Sequence, residues 1–282
     1  MRIIKTADEM RAWSAVRRAE GQLIGFVPTM GALHEGHASL MRAAVEQNDV
    51  SVLSIFVNPA QFAPHEDFDR YPRAFDADCA LAERLGIDAV YAPSAARMYP
   101  PDYATYVEVE RLTRELCGKS RPHFFRGVAT VVVKLFNAVC PHRAYFGQKD
   151  AQQAAVIRRM TRDLDFGIEI VVMPTVREPD GLAMSSRNTY LDAEERQRAR
   201  CISRGLDEAR RLLEAGERDP DVILETVRDA MTGVEIDYVE LVDADEIEPV
   251  REIRGRVLLA AAARIGQTRL IDNIIFDASA DA

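Results

Sequence analysis

Val27-Pro28-Thr29-Met30-Gly31-Ala32-Leu33-His34-Glu35-Gly36-His37 is the stretch on which the fold turns. It follows an apolar run, residues 23–27, that reads as a buried strand. It leads into Ala38-Ser39-Leu40-Met41-Arg42-Ala43-Ala44-Val45, whose composition and spacing are helical. Two of the five histidines lie here, three apart, with Gly36 between them. A strand, a glycine-containing turn and a helix start make a natural anion site. The first N–H groups of a helix have no internal partner, and the helix dipole favours negative charge there. The same histidines could equally cap or pack locally, and the stretch alone leaves both readings open.

Outward from this stretch the pattern repeats. Residues 50–57 are rich in β-branched side chains and predict a second buried strand running into Asn58-Pro59-Ala60-Gln61-Phe62. Residues 75–85 predict a helix with Gly86 as its stop, and 89–93 a short strand. The stretch 94–127 is irregular apart from an expected strand at 105–109. An apolar helix is expected over 128–139 and a strand over 143–147. A helix from Asp150 to about Leu164 and a strand over 168–175 follow. Strands alternating with helices, many of them continuously apolar, predict a Rossmann-like, doubly wound parallel sheet of the α/β class. In such sheets ligands bind beyond the carboxyl ends of the strands, where the winding reverses. The polar clusters at 28–37, 58–61 and 147–153 fall at those ends.

After a loop at 177–191 the character changes. Asp192-Ala193-Glu194-Glu195 caps a long charged helix, and Asp219-Pro220 opens another. Strand-like segments at 237–242, 257–262 and 270–276 complete a smaller C-terminal α+β domain. The expected division is residues 1–176 and a lid-like 177–282.

A net charge of −9 argues against a general nucleic-acid binder but leaves room for a small anionic substrate held by local donors. The four cysteines are far apart and form no C-x-x-C pair, as expected of reduced residues in a cytoplasmic protein. No apolar run reaches the length of a membrane span. The N-terminal residues read as a helix opened by a Thr6–Glu9 capping box rather than as a signal peptide.

Several clusters could carry chemistry. His34 and His37 could donate to phosphate, and Gly36 admits close approach of a ligand to the backbone. Zinc would need a third ligand that the pattern does not supply. Gly147-Gln148-Lys149-Asp150 again lies between a strand and a helix; Lys149 could neutralise phosphate, and Asp150 could cap the helix or take a ribose hydroxyl. It is not a Walker A loop. Met184-Ser185-Ser186-Arg187-Asn188 offers two hydroxyls and a forked guanidinium. Each cluster alone could be a polar turn. No nucleophile motif is present, which suits transfer between two bound substrates by alignment and charge stabilisation.

In order and spacing, these motifs resemble the pantothenate synthetase (pantoate–β-alanine ligase) family along nearly the whole chain. The resemblance rests on Pro28 through His37, Phe56-Val57-Asn58-Pro59-Ala60-Gln61-Phe62, Tyr71-Pro72-Arg73 and Ser120-Arg121-Pro122-His123-Phe124. It continues through Phe146-Gly147-Gln148-Lys149-Asp150-Ala151-Gln152-Gln153 and Arg177 through Asn188. The wider nucleotidyltransferase superfamily, which includes class I aminoacyl-tRNA synthetases, holds ATP with an H-x-G-H motif and a K-M-S-K-S motif. The first is present as His34-Glu35-Gly36-His37. The second stands as Ala183-Met184-Ser185-Ser186-Arg187 without its lysines, as in pantothenate synthetases.

The resemblance implies condensation of pantoate with β-alanine through a pantoyl adenylate, releasing AMP and pyrophosphate. ATP would be a substrate, accompanied by Mg2+, with no tightly bound organic cofactor and no protein-held metal. It implies catalytic roles for His34, His37, Lys149 and Arg187. ATP would be lined by Met30, Gly31, Ala32, Leu33, His34, Glu35, Gly36, His37, Gly147, Gln148, Lys149, Asp150, Val176, Met184, Ser185, Ser186 and Arg187. Gln61 and Gln153 would hold pantoate, with Gln61 also near β-alanine and Asn58, Tyr71 and Arg121 as neighbours. It also implies a homodimer with small-molecule partners only. An adenylyltransferase that stops at an adenylated product, or a silent nucleotide-binding regulator, are the competing readings.

Overall fold

The computed structural model describes residues 1–64 and 66–281. The chain divides into two compact units. The first comprises Met1–Val109, Arg121–Gly147 and Val156–Pro174, and the second Glu110–Ser120, Gln148–Ala155 and Thr175–Ala282. The later junction, Pro174–Thr175, lies beside the sequence division at 176/177. Two short segments, 110–120 and 148–155, group with the second unit for a local reason. Buried Gln152 donates to the carbonyls of Leu112 and Glu115 and accepts from Cys117 N, at 2.9, 2.8 and 3.0 Å. Those bonds tie the two segments together.

In chain order the elements begin with β1 (Arg2–Ile4), α1 (Ala7–Ala19), β2 (Ile24–Thr29), α2 (Glu35–Gln47) and β3 (Val50–Ile55). A 3-10 turn (Pro59–Gln61), α3 (Phe75–Arg84), β4 (Ala89–Tyr91) and the short α4 (Ala95–Met98) and α5 (Cys117–Ser120) follow. Then come α6 (Phe124–Val139), β5 (Arg143–Gly147), a 3-10 turn (Gln148–Asp150), α7 (Ala151–Asp163) and β6 (Glu169–Met173). The remainder is a 3-10 turn (Ser186–Tyr190), α8 (Ala193–Glu214), α9 (Pro220–Ala230), β7 (Glu235–Asp243), β8 (Arg256–Ile265) and β9 (Thr268–Asp277).

The first unit carries a six-stranded parallel sheet in the order β1-β4-β3-β2-β5-β6. Its strands read as continuous apolar runs because both faces are covered. Phe26, Val52, Ala144 and Phe146 enter one core with Val132, Leu135 and Phe136 of α6. Their neighbours Val27, Leu53 and Tyr145 enter the other with Leu40, Met41 and Ala44 of α2. The winding runs outward from β2 through β3 to β4, and in the other direction through β5 to β6. The reversal therefore lies between β2 and β5, and the stretch from Met30 to His37 leaves the carboxyl end of β2 at that point.

The expected strand at 105–109 does not form. Val107 N donates to Thr130 Oγ1 on α6 (2.9 Å), and Val107 and Val109 pack on the core outside any strand. β-branched composition alone could not reveal the missing partner. Helix α6 starts at Phe124, earlier than expected, because Phe125 is buried with Val128 and Val132 on the same stripe. Strand β1 was not expected; three residues are too few to show a period.

The second unit packs α8 and α9 on one face of an antiparallel sheet, β7-β8-β9. Ile202, Leu206 and Leu213 of α8 and Ile223 and Val227 of α9 meet Val239, Leu241, Val257, Leu259 and Ala261. Each such side chain, fully buried, contributes roughly 1.5–3 kcal/mol. A reciprocal capping box, Asp192 with Glu195, opens α8, and Asp219 caps α9 with Pro220 in its first turn.

At the amino ends of β2 and β5, His142 Nδ1 accepts from Ile24 N at 2.9 Å. Burial, with the positive charges of Arg18 and Arg143, holds this imidazole below its ordinary value of 6.5. The folded state thus favours the neutral ring, while the unfolded chain takes up a proton as pH falls through 6.5. Its contribution is complete above that pH and is lost as pH falls toward the folded value. His142→Gln keeps an acceptor but does not titrate. Urea melts between pH 8 and 5.5 should show the wild type losing more stability on acidification than this variant (about those limits). Parallel profiles would exclude the role.

Candidate active site

Thr29 ends β2 and sets the first bend. Its Oγ1 donates to Ser54 O (2.7 Å) and accepts from Gly31 N (3.2 Å). Gly31 and Ala32 then run left-handed, with φ of 83° and 50°. A Cβ on Gly31 would stand 2.9 Å from Asp78 Oδ2, so both conformation and space call for glycine. Ala32 has no such licence, and its left-handed backbone costs about 1–2 kcal/mol. The offsetting bonds come from α3. Asp78 accepts from Ala32 N at 2.9 Å and from Leu33 N at 2.8 Å. Asp78 is buried, and burial pushes its carboxyl above the ordinary value while the two N–H donors pull it partly back.

His34 is the N-cap of α2. Its Nδ1 accepts from Gly36 N (3.2 Å), and His37 Nδ1 accepts from His34 N (3.3 Å). The ring centroids are 4.1 Å apart with planes inclined at 38°. A ring nitrogen that accepts carries no proton, so hydrogen-bond geometry assigns each neutral ring its N–H on Nε2. Capping and ligand binding are therefore not rivals here: capping uses Nδ1 of each histidine and places the ring N–H at Nε2. Glu35 points along the helix and pairs with Arg42 at 2.5 Å.

Asn58 fixes the next donor. It is buried, accepts from Ala60 N (3.3 Å) and Tyr99 OH (2.8 Å), and donates to Gly127 O (3.1 Å). Burial raises the Tyr99 phenol far above its ordinary value, which keeps it a donor. Two backbone groups thus settle which end of the Asn58 amide is which. Asn58 Nδ2 then donates to Gln61 Oε1 (2.9 Å), turning Gln61 Nε2 toward Met30 Sδ (3.3 Å). Gln61 consequently presents an N–H2 group.

The Pro59–Gln61 turn packs directly on Gly127 of α6. A Cβ there would fall 2.2 Å from Ala60 O and 2.8 Å from Gln61 N. Gly127→Ala is expected to cost about 1–3 kcal/mol by overpacking and to displace Gln61. A lowered urea midpoint together with a raised KM for the substrate that the resemblance assigns to Gln61 would confirm both effects; an unmoved midpoint would refute the close approach. Arg121 is bound to Glu66 through Nε (2.6 Å) and Nη2 (2.7 Å) and also donates to Gln61 O (3.1 Å). Its charge is matched by a carboxylate, so it braces the turn rather than offering a bare cation. Tyr71 is buried with its ring edge-on to Phe62.

In the second unit, the loop at 177–191 is a tied structure rather than a slack linker. Met184 N donates to Val176 O (3.0 Å), and Arg177 pairs with Ala183. Arg177 grips buried Asp272 at 2.6 and 3.1 Å. Burial opposes its charge, but Asp272 outweighs that and its pKa rises. Asn188 donates to Glu178 (2.6 Å) and Ala183 O (3.1 Å), and Glu178 and Asp180 both hold Arg196 of α8. Ser185 caps the following turn by accepting from Arg187 N (3.3 Å). Buried Asn273 on β9 donates to the carbonyls of Gln148 (3.0 Å) and Lys149 (2.9 Å). A small cavity is lined by Lys149, Ser185, Asn188 and Asp272, with Leu182 and Leu270. Lys149 and Ser185, well separated in sequence, therefore line one cavity.

The chain matches the family model described as pantoate-beta-alanine ligase over residues 2–275. It belongs to that family. Among its relatives, pantothenate synthetase from Acetivibrio thermocellus is 55% identical over 98% of this chain and 100% of its own length. The Thermotoga petrophila enzyme is 55% identical over 98% and 99%. The crystal structure of pantothenate synthetase from Thermus thermophilus superposes with a TM-score of 0.91, at 43% identity and 97% and 99% coverage. That of the Francisella tularensis ligase, complexed with beta-gamma ATP and beta-alanine, gives 0.77 at 33% identity and 98% and 97% coverage.

Within this chain, His34, His37, Met30 and Gln61 lie in one unit as described, and Val176, Met184, Ser185 and Lys149 in the other. Asp150 is exposed in its 3-10 turn, and Gln153 is half-buried beside the fully engaged Gln152. Sequence reasoning missed Asp78, Asp272 and Asn273. Asp78 had a signal: it lies four residues before Ala82, on the buried stripe of α3. Asp272 and Asn273 had none, since their partners are distant in sequence.

Proposed function

We infer that this chain, as a member of the family, joins pantoate to β-alanine at the expense of ATP. A carboxylate oxygen of pantoate attacks the α-phosphorus of ATP, the bond to the β-phosphate bridging oxygen breaks, and pyrophosphate leaves. The amine of β-alanine then attacks the acyl carbon, losing a proton, and AMP departs. A carboxylate alone is a poor acyl donor because oxide would have to leave; AMP is a far better leaving group. Mg2+ enters as the partner of ATP, held largely by phosphate oxygens and water.

The observation that carries this reading is the His34–His37 cap. Both Nδ1 atoms are committed to backbone N–H groups, which leaves Nε2–H as the donor of each ring. We assign both to phosphate oxygens, with His37 protonating the departing pyrophosphate. The turn Met30–Gly36 lines the nucleotide. Since Asp78 takes the N–H groups of Ala32 and Leu33, these two residues line rather than donate. Gln61 gives its N–H2 to a pantoate oxygen and stands near β-alanine, and Gln153 takes a second pantoate group. Gly147, Gln148, Asp150, Val176 and Met184 hold ribose and adenine, and Lys149, Ser185, Ser186 and Arg187 the phosphates. A homodimer in the cytoplasm is expected from the family resemblance and the four free cysteines; a monomeric mass by light scattering would overturn the first.

The deciding experiment is product analysis with ATP, pantoate and β-alanine, omitting each in turn. Pantothenate, AMP and pyrophosphate should form only from the full set. Pantoate-dependent exchange of labelled pyrophosphate into ATP should persist without β-alanine. Formation of an adenylated product with no amide would instead favour an adenylyltransferase.

A further inference from the structure

We propose that Asp78 is a positioning residue for adenylation, holding the turn that aims His34 and His37. The turn leaves β2 through two successive left-handed residues, Gly31 and Ala32, and an alanine does not keep that conformation unaided. The N–H groups of Ala32 and Leu33 are spent on one carboxylate, delivered from α3 more than forty residues away, at 2.9 and 2.8 Å. Asp78 is only 3% exposed, and its two oxygens take one N–H each. The grip is also close from the other side, since Gly31 has no room for a Cβ beside Asp78 Oδ2.

The next residue after this clamp is His34, the N-cap. The clamp therefore sets where α2 begins, and with it the position of both rings. They move together, because His37 Nδ1 is bonded to His34 N. The clamp also decides which donors face a phosphate. Two backbone N–H groups are withdrawn from the ligand, leaving the imidazole Nε2–H groups and the first turn of α2. Asp78 does not itself reach substrate; it acts through the histidines. The proposal rests on the reading of His37 as a phosphate donor.

Asp78→Asn turns one acceptor into an N–H2 facing a backbone N–H. The expected result is a fall of about 10–100-fold in pantoate-dependent pyrophosphate exchange, the range usual for a group that orients a catalytic one. The loss should appear as a lower kcat and a higher KM for ATP. KM for β-alanine, and the rate at which supplied pantoyl adenylate reacts with β-alanine, should stay within about threefold, because the second step needs no pyrophosphate to leave. A cycle with His37→Ala completes the test: in that background Asp78→Asn should add little, giving clear coupling. Additive losses, unchanged exchange in Asp78→Asn, or equal losses in both half reactions would overturn the proposal. Asp78→Glu, which keeps the charge but shifts it by one methylene, serves if the asparagine variant does not fold. Loss of the folded state in both would assign Asp78 to stability alone and also overturn it. Should His37→Ala by itself keep the wild-type exchange rate, the histidine reading fails first, and does so without reference to Asp78.

Discussion

Replacing His37 by alanine is expected to slow pantoate-dependent pyrophosphate exchange by roughly two to three orders of magnitude, the worth of one preset donor at a developing charge. His37 Nδ1 accepts from His34 N, so the neutral ring carries its proton on Nε2. At the start of a helix, where the dipole already favours anions, the proposed role of that N–H is to meet the charge growing on departing pyrophosphate. The substitution should leave the fold standing, because the ring is half-buried and not part of either apolar core. It does remove the bond to His34 N, so part of the loss reflects a looser cap; His37→Gln, which can accept or donate through one amide, should recover some of the cap but not the proton transfer. Exchange within about threefold of wild type in both variants would rule out the assigned role.

Lys149→Ala is expected to lower the same exchange by about 10²-fold, again the effect of removing one charged donor. The main-chain carbonyls of Gln148 and Lys149 are pinned by buried Asn273. Lys149 lines a cavity with Ser185, at the start of the turn that carries Arg187. The ATP dependence should change most. Lys149→Met keeps the aliphatic stem and removes the charge, so it separates packing from electrostatics. If the methionine variant matches wild type while the alanine variant does not, packing is the cause and the phosphate role is lost.

Much of the fold was legible because its signals are local. Buried parallel strands show as apolar runs, and helices show their caps in short motifs such as Thr6 with Glu9 and Asp192 with Glu195. The failures follow from the same cause. Residues 105–109 look like a strand, yet a strand exists only if a neighbour pairs with it, and here a threonine on α6 takes the bond instead. Arg121, a neighbour of the pantoate site by resemblance, is paired with Glu66, and a partner so distant in sequence leaves no local signal.

By itself, the sequence determined the α/β class, most of the order of elements and the family. These depend on periodicity and on motifs of a few consecutive residues. Only the tertiary structure decided how the stretch from Val27 to His37 works. Asp78 from α3 closes the turn, and Asn58 sets which end of Gln61 faces outward. Asn273 pins the backbone of Lys149. Each is a buried polar side chain whose hydrogen-bonding capacity must be met by whatever the fold brings beside it, and a partner tens of residues away leaves no periodic trace in the chain.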